Sequence, residues 1–527
     1  MVVDARALAQ GDRLETDVCV VGAGPAGITL ALELARSGCR VCLLESGDRA
    51  DSDAGEKLSA GKSVGYWYYS LKDTRARAFG GTSVRWLASP ADAAEGWRAR
   101  PLDPIDFERR ADMPYSGWPF GYSELGPFYE RAQRVCRLGP YDYTLARWET
   151  PHAQRLPLNG RITTAIFQHG FEDFASYYDE VARSERVQLV LNATVVEIAT
   201  DGSVGGVTSV VVAPRPPVRV PVKARVYVLA AGGIENARLL LLSRRSQPAG
   251  LGNGEDLVGR FFMERLTGRI GFIAPPTGDF MKRLALYRQT TVTDTSVKAV
   301  LCPSADVMRR EGLLNCGFYL VPSSRASCSD GVRAAVTLYR ALRRRPLPGD
   351  LAAHTAAALR GLPDVARAHG RIGRRPQPDV VALRVQAEQA PNPESRVSLD
   401  ETRDSFGLPR ARVNWRISER DRWSIRRVQE ILDDELRSRG LGRVEQKLGD
   451  ENPPSLFLGT FHHMGTTRMH ESPKQGVVDG NCQVHGVQNL FVAGSSVFPT
   501  SGFVNPTLTI VALSLRLADH LKERLAV

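Results

Sequence analysis

Asp17-Val18-Cys19-Val20-Val21-Gly22-Ala23-Gly24-Pro25-Ala26-Gly27 holds the pattern that decides the fold. The apolar run before Gly22 reads as a buried strand. A helical stretch follows over 28–37, Gly38 stops it, and a second strand over 40–44 ends in Glu45. Strand, GxGxxG, helix, strand and acidic residue is the dinucleotide fingerprint in its required context. Gly22 permits the tight turn, Gly24 admits a pyrophosphate to backbone N–H groups, and Gly27 lets helix pack on strand. Glu45 is placed to accept hydrogen bonds from an adenosine ribose. The unit predicts a dinucleotide without choosing between FAD and NAD.

Working outward, a strand over 218–229 enters Ala230-Ala231-Gly232-Gly233, and a helix follows over 234–242. This second strand–Gly–helix unit joins the first. Strands are also expected over 187–198, 207–212, 395–400 and 411–417, and long helices over 123–136 and 419–439. Gly80-Gly81-Thr82-Ser83 is too permissive for a regular element and suits close backbone approach to a flat ligand, or a plain turn. Near the C-terminus stand Phe461-His462-His463-Met464-Gly465, the short strand Asn489-Leu490-Phe491-Val492 running into Gly494-Ser495, and Ser501-Gly502-Phe503-Val504-Asn505-Pro506-Thr507. The last stretch reads as a helix start, with Asn505 capping and Pro506 in the first helical position. A helix N-terminus favours an anion in front of it. Histidines accept protons near neutral pH, although a His-His pair is also met as one packed and one solvated ring.

The length of 527 residues exceeds a usual single core, so two domains are expected. The division predicted is discontinuous: 1–95, 190–265 and 450–527 bind the cofactor, and 96–189 and 266–449 bind the substrate. In 381–389, Leu383, Val385 and Ala387 share one strand face, with Arg384, Gln386 and Glu388 on the other. That polar face is either solvated or the wall of a cavity. Net charge is +11, with Arg343-Arg344-Arg345, Arg371, Arg374 and Arg375 concentrated in 333–375 between segments that read as amphipathic helices. Solvated arginine faces explain this; docking to an anionic partner or membrane surface is the alternative. No nucleic-acid motif accompanies the charge. Eight scattered cysteines and no export signal point to the cytoplasm, and Cys39-x-x-Cys42 lies in a strand rather than a metal knuckle, so no metal is expected.

On these motifs the chain resembles the glucose–methanol–choline (GMC) oxidoreductases, and most of all their bacterial branch of sugar and aminoglycoside enzymes. Further shared motifs are Ala231-Gly232-Gly233-Ile234-Glu235-Asn236, Val258-Gly259-Arg260-Phe261-Phe262-Met263, and His463-Met464-Gly465-Thr466-Thr467-Arg468-Met469. The resemblance implies an α/β fold: a Rossmann-like FAD domain plus a substrate domain whose large, mostly antiparallel sheet roofs the flavin. It implies His462 as catalytic base and Asn505, 43 residues later, as its partner. It places Val195, Gly232, Gly494, Ser495, Pro506 and Thr507 with the fingerprint and Gly80–Ser83 residues around FAD. It supports Gln386 and Glu388, with His463, as substrate contacts. Two positions depart from relatives. Arg85 stands before Trp86 where pyranose oxidase has the histidine that links its flavin, which implies non-covalent FAD. Arg265 stands where many relatives have histidine.

The implied reaction is oxidation of CH–OH in a sugar, glycoside or aminocyclitol, with oxygen or another acceptor taking the electrons. Rival readings are a non-redox lyase that keeps FAD structurally, a subunit of a membrane-docked electron-transfer complex, and a plain NAD dehydrogenase.

Overall fold

The computed structural model describes residues 1–201, 205–274, 278–343, 351–368, 377–446, 448–449 and 457–526. The fingerprint strand, Leu14–Val21, lies inside a sheet with parallel neighbours Val41–Leu44 and Val220–Leu229. Val187–Leu191 and Val2–Asp4 extend it in parallel on one side, and Leu490–Val492 pairs in parallel with Val220–Leu229. Val207–Val212 and Val195–Thr200 add an antiparallel flap. The inner strands are apolar and buried at their C-terminal ends, 18–21 and 226–229, and along Val41–Leu44, where the sheet is covered. Thr507–Leu525 packs against both Pro25–Arg36 and Tyr122–Val135.

Four details differ from the sequence reading. The fingerprint helix starts at Pro25 rather than 28, since a proline at the first helical position loses no hydrogen bond. The single strand expected over 187–198 is two strands, broken at Asn192, whose φ of 55° is left-handed and whose N–H donates to Gly47 O at 2.8 Å. Val187–Leu191 pairs with Val41–Leu44, so 187–189 belong to this sheet and not to the expected substrate unit. The C-terminal helix begins at Thr507 with Pro506 as its N-cap, and no side chain caps it. Asn505 therefore lies one residue outside the capping position.

The second sheet runs Arg443–Glu445, Leu266–Ala274, Val380–Ala387, Cys316–Ser323, Thr295–Pro303, Ile162–Gly170 and Trp97–Ala99, antiparallel throughout. Its helix-covered face is set by Glu419–Ser438: Gln429 Nε2 donates to Ile270 O at 2.8 Å, and Glu435 accepts from the N–H groups of Asn159, Arg161 and Ile162. The opposite face meets the loop before the C-terminal helix. A Cβ on Gly317 would lie 2.5 Å from the Phe503 ring, and Phe167 sits 5.9 Å from that ring. A small third sheet joins Gly61–Gly65 to Pro409–Trp415 and Arg396–Arg403, crossing the expected domain division.

Of the basic stretch, Asp330–Arg343, Leu351–Arg360 and Leu362–Ala368 are helices. Residues 344–345, 371, 374 and 375 lie outside the described residues. No described helix is long and apolar enough to cross a membrane. All eight cysteines are free and buried, and no cluster among the described residues has metal-ligand composition.

Candidate active site

The fingerprint loop is a backbone cradle. Gly22 has φ 108°, and a Cβ there would sit 2.6 Å from Ala230 O; one on Gly27 would sit 1.9 Å from Gly22 O. Both positions admit only glycine. Gly24 lines a cavity of about 1350 Å³, its open mouth included. Glu45 lines it too, although its two oxygens already accept from Ala23 N at 3.0 Å and Gly47 N at 2.9 Å. Each carboxylate oxygen keeps a second lone pair for a ligand hydroxyl.

The Gly80 loop closes over this cradle. Gly80, itself outside the lining, donates from N to Ala23 O at 2.8 Å; a Cβ on Gly81 would lie 2.8 Å from the Gly24 Cα. Gly81, Thr82 and Ser83 line the cavity. The Ser83 hydroxyl is engaged elsewhere, donating to Gly80 O at 2.7 Å and accepting from Phe174 N at 3.0 Å. On the far wall are Val195, Gly232, Gly494, Ser495, Pro506 and Thr507. Gly232 and Gly494 have positive φ, and a Cβ on either would meet nothing in the protein within 4 Å. Such open, left-handed glycines suit a ligand that lies on the backbone.

Four charged lining residues went unread in the sequence. Arg75, Arg77 and Arg238 surround Glu235 at 2.8, 3.1 and 3.1 Å, and Arg238 also pairs with Asp404 at 2.6 Å. Burial alone would raise the Glu235 carboxyl; the three arginines override it and hold it well below the usual range. Arg75 and Arg77 sit just before the Gly80 loop, and Glu235 within the Gly232 motif, but nothing in the sequence says they meet.

A second, smaller cavity adjoins the first. Thr82, Trp86, Phe461, His462 and Thr507 line both, and Asn505 lines only the smaller. His462 thus stands where the two spaces join. Its backbone is held by Glu264, whose Oε2 accepts from Thr460 N at 3.0 Å and His462 N at 3.1 Å, while Oε1 accepts from the Tyr68 hydroxyl. Thr460 Oγ1 lies 2.9 Å from His462 Nδ1 and 3.3 Å from Arg265 O. When this hydroxyl donates to the carbonyl, it accepts from Nδ1–H, which leaves Nε2 as the unprotonated nitrogen. Burial, then the nearby Arg265 guanidinium, His463 and Arg98, hold His462 well below its ordinary value, so its imidazole is neutral.

Asn505 Oδ1 accepts from Arg265 Nη1 at 2.6 Å. Arginine has no acceptor, so this contact fixes the amide: Oδ1 is taken and Nδ2 is the group offered to the cavity. Arg265 is nearly inaccessible, and burial lowers it to about 9, still charged at neutral pH. The helix from Thr507 adds its positive end. The first helical bond there is Ile510 N to Pro506 O, which leaves the earlier N–H groups free beside Thr507 at both cavities.

None of the three expected substrate contacts lines the smaller cavity. His463 lines the larger cavity only, and its Nε2 is 2.9 Å from the Tyr68 hydroxyl. Glu388 is fully buried in an ion pair with Arg110 at 3.0 Å and also accepts from Asn315 N, so its carboxylate is spent. Gln386 is buried, lines neither cavity, and its Oε1 has no partner. Period-two patterning placed these residues on a face correctly but says nothing of which groups face each other across the fold.

A family model described as FAD dependent oxidoreductase matches residues 17–383, and one described as GMC oxidoreductase matches 391–514. The chain belongs to the GMC family of FAD-dependent oxidoreductases. It is similar to 2-methyl-1,2-propanediol dehydrogenase of Mycolicibacterium austroafricanum, at 26% identity over 97% of this chain and 96% of that protein. Paromamine 6'-oxidase of Streptomyces fradiae is 25% identical over 95% and 90%, and the fructose dehydrogenase large subunit of Gluconobacter japonicus 24% over 96% and 98%. Among solved structures, pyridoxine 4-oxidase from Mesorbium loti shares the fold with TM-score 0.55 at 18% identity, covering 96% of this chain and 99% of that one. A formate oxidase does so with TM-score 0.56 at 18% identity, over 97% and 99%. This GMC enzyme uses FAD, and the open glycine cradle from Gly24 to Gly232 and Gly494 fits that cofactor.

Proposed function

We propose that this GMC enzyme oxidises one CH–OH of a polyhydroxylated small molecule of sugar, glycoside or aminocyclitol type to a carbonyl. The observation that carries this reading is the pairing at the smaller cavity: a His462 ring whose Nδ1 is engaged by Thr460 Oγ1 and an Asn505 amide whose Oδ1 is pinned by Arg265. When bound, FAD supplies the two-electron acceptor for the carbinol hydride. His462 Nε2 takes the hydroxyl proton, which is general-base catalysis worth roughly 10²–10⁴-fold. Asn505 Nδ2 donates to the same oxygen and orients it. The Thr507 helix end favours negative charge at the junction of the two cavities. Trp86, Trp97 and Phe461 wall the smaller cavity with rings and limit its water.

Arg85 supports non-covalent attachment. Its guanidinium is no nucleophile, and it is held by Asp51 through Nε at 2.8 Å and by the carbonyls of Lys72 and Asp73. The relatives that oxidise a paromamine, a diol and a sugar support the substrate class. Anaerobic mixing of the FAD-loaded enzyme with sugars, alditols and aminocyclitols tests the reading. Bleaching of the flavin near 1:1 by members of this panel is expected; a flavin that stays oxidised with all of them overturns it.

A further inference from the structure

The helices Asp330–Arg343, Leu351–Arg360 and Leu362–Ala368 leave the roof sheet between two paired strands, Cys316–Ser323 and Val380–Ala387. Cys328, packed with Phe272 and Val380, anchors their base, and the first helix buries Val332 and Ala334. A Cβ on Gly361 would lie 2.4 Å from the Gly331 Cα, so the start of the first helix meets the end of the second. The second and third helices bury no residue. What they turn outward is apolar. Tyr339, Leu342, Leu359 and Leu362 are exposed to 54%, 78%, 60% and 55%, and Leu351 is exposed too. These are five of the nine large hydrophobic side chains exposed among the described residues, all within 339–362. Along Leu351–Arg360 the exposed positions before the terminal arginine are Leu351, Ala352, Ala353, Thr355, Ala356 and Leu359. A helix that faces water carries charged residues on its outer side; this one carries none until Arg360. Single exposed hydrophobics are ordinary, but a group of them marks an interaction surface.

The same segment carries most of the chain's charge. Residues 333–375 hold ten arginines and two aspartates, a net +8 of the total +11. Arg360 and Arg367 are exposed, and Asp364, one of the two acids, pairs with Arg367 at 3.2 Å. Leucines that face water in so basic a segment ask for a partner with both apolar depth and negative charge.

We propose that these three helices dock the enzyme on the surface of a membrane rich in anionic lipid, with Leu342, Leu359 and Leu362 entering the acyl boundary and Arg360 and Arg367 meeting headgroup phosphates. Basic amphipathic helices bind that interface by adding buried apolar area to attraction for anionic headgroups. The attachment is peripheral, since no described helix is long and apolar enough to cross a membrane. A second copy of the chain would set +8 against +8. A nucleic acid would use the arginines but leave the leucines in water. Docking here stands apart from the chemistry. Ser323 pairs with Val380 where the helices leave the sheet, and Gly317 pairs with Gln386 at the end that touches Phe503. Those two points on the strand are roughly 20 Å apart at about 3.4 Å per residue, so the loop that carries Asn505 takes no part in the contact.

Vesicle sedimentation of the full-length, FAD-loaded enzyme tests this. The vesicles are phosphatidylcholine alone, or phosphatidylcholine mixed equally with phosphatidylglycerol. Binding to the mixed vesicles is expected to exceed binding to the neutral ones by about tenfold or more, and to fall about tenfold at about 0.5 M salt, where charge is screened within a few ångströms. A triple variant, Leu342→Ser with Leu359→Ser and Leu362→Ser, should lose about tenfold on the mixed vesicles, and Arg360→Glu with Arg367→Glu a similar amount. All five side chains are exposed, so FAD content, melting temperature and the rate of flavin reduction in solution should match wild type and show that the variants fold. The two vesicle arms stand on the wild type alone. Equal sedimentation with both vesicle types, or none with either, overturns the proposal. So does a leucine variant that binds mixed vesicles as well as wild type, because charge alone would then account for binding and an acidic protein or nucleic acid would serve equally. A concentration-dependent dimer that the leucine variant abolishes overturns it too, by giving this face to a second copy.

Discussion

Arg265→Met isolates the group that sets the Asn505 amide, the proposed partner of His462. The wild-type contact, 2.6 Å from Nη1 to Asn505 Oδ1, is charge-assisted, and such bonds contribute about 1.5–3 kcal/mol. Methionine fills similar apolar volume but donates nothing, so the amide is free to turn and its Nδ2 is no longer aimed at the substrate oxygen. If that interaction energy is lost from the transition state, flavin reduction slows by roughly 10- to 100-fold, at about 1.4 kcal/mol per decade. A second signature separates this from loose packing. Burial depresses His462 most, and Arg265 is the next cause. Removing the cation raises the imidazole toward, but not to, its ordinary 6.5. The base works only when deprotonated, so raising its pKa moves the acid limb of the reduction rate upward in pH. Stopped-flow reduction from pH 5 to 9 reads both effects. The wild type should show little acid limb in this range and the variant a visible one. A variant within threefold of wild type and with a superimposable pH profile would refute the assignment.

Three other outcomes are expected. His463→Gln should lower the melting temperature through the lost Tyr68 contact at 2.9 Å, yet slow flavin reduction by less than tenfold, since His463 is outside the smaller cavity. Glu264→Ala should lower the melting temperature and slow reduction together with FAD still bound, because the Thr460 and His462 N–H groups lose their buried acceptor at about 1–3 kcal/mol each; Glu264→Gln should recover part of both. Acid precipitation should release yellow FAD to the supernatant, and a coloured pellet would contradict the role given to Arg85.

Much of the cofactor frame is legible in the sequence because its signals are local. Gly22, Gly24, Gly27 and Glu45 sit within one strand–turn–helix–strand unit, and the strand run before Gly22 forces the turn where the cavity lies. His462 and Asn505 fall on one cavity for the same reason, each carried by a short motif that resembles a known family. What stayed hidden is long-range. Tyr68, Glu264 and His463 form one buried cluster across separations of up to 395 residues, and Glu388 finds Arg110 across 278. No periodicity reports such partnerships. Arg265 was visible as an odd residue with no role until its guanidinium was seen on Asn505. Asn505 itself reads as a helix cap because Asn-Pro favours that start, but the arginine takes its side-chain oxygen instead.

The rate of flavin reduction in FAD-loaded His462→Gln tests the central claim most directly. With a substrate that bleaches the wild-type flavin, the variant should bind FAD with an unchanged visible spectrum. Its anaerobic reduction should be slower by roughly 10²–10⁴-fold, the contribution of a positioned base. A reduction rate within a factor of three of wild type would show that His462 does not take the hydroxyl proton.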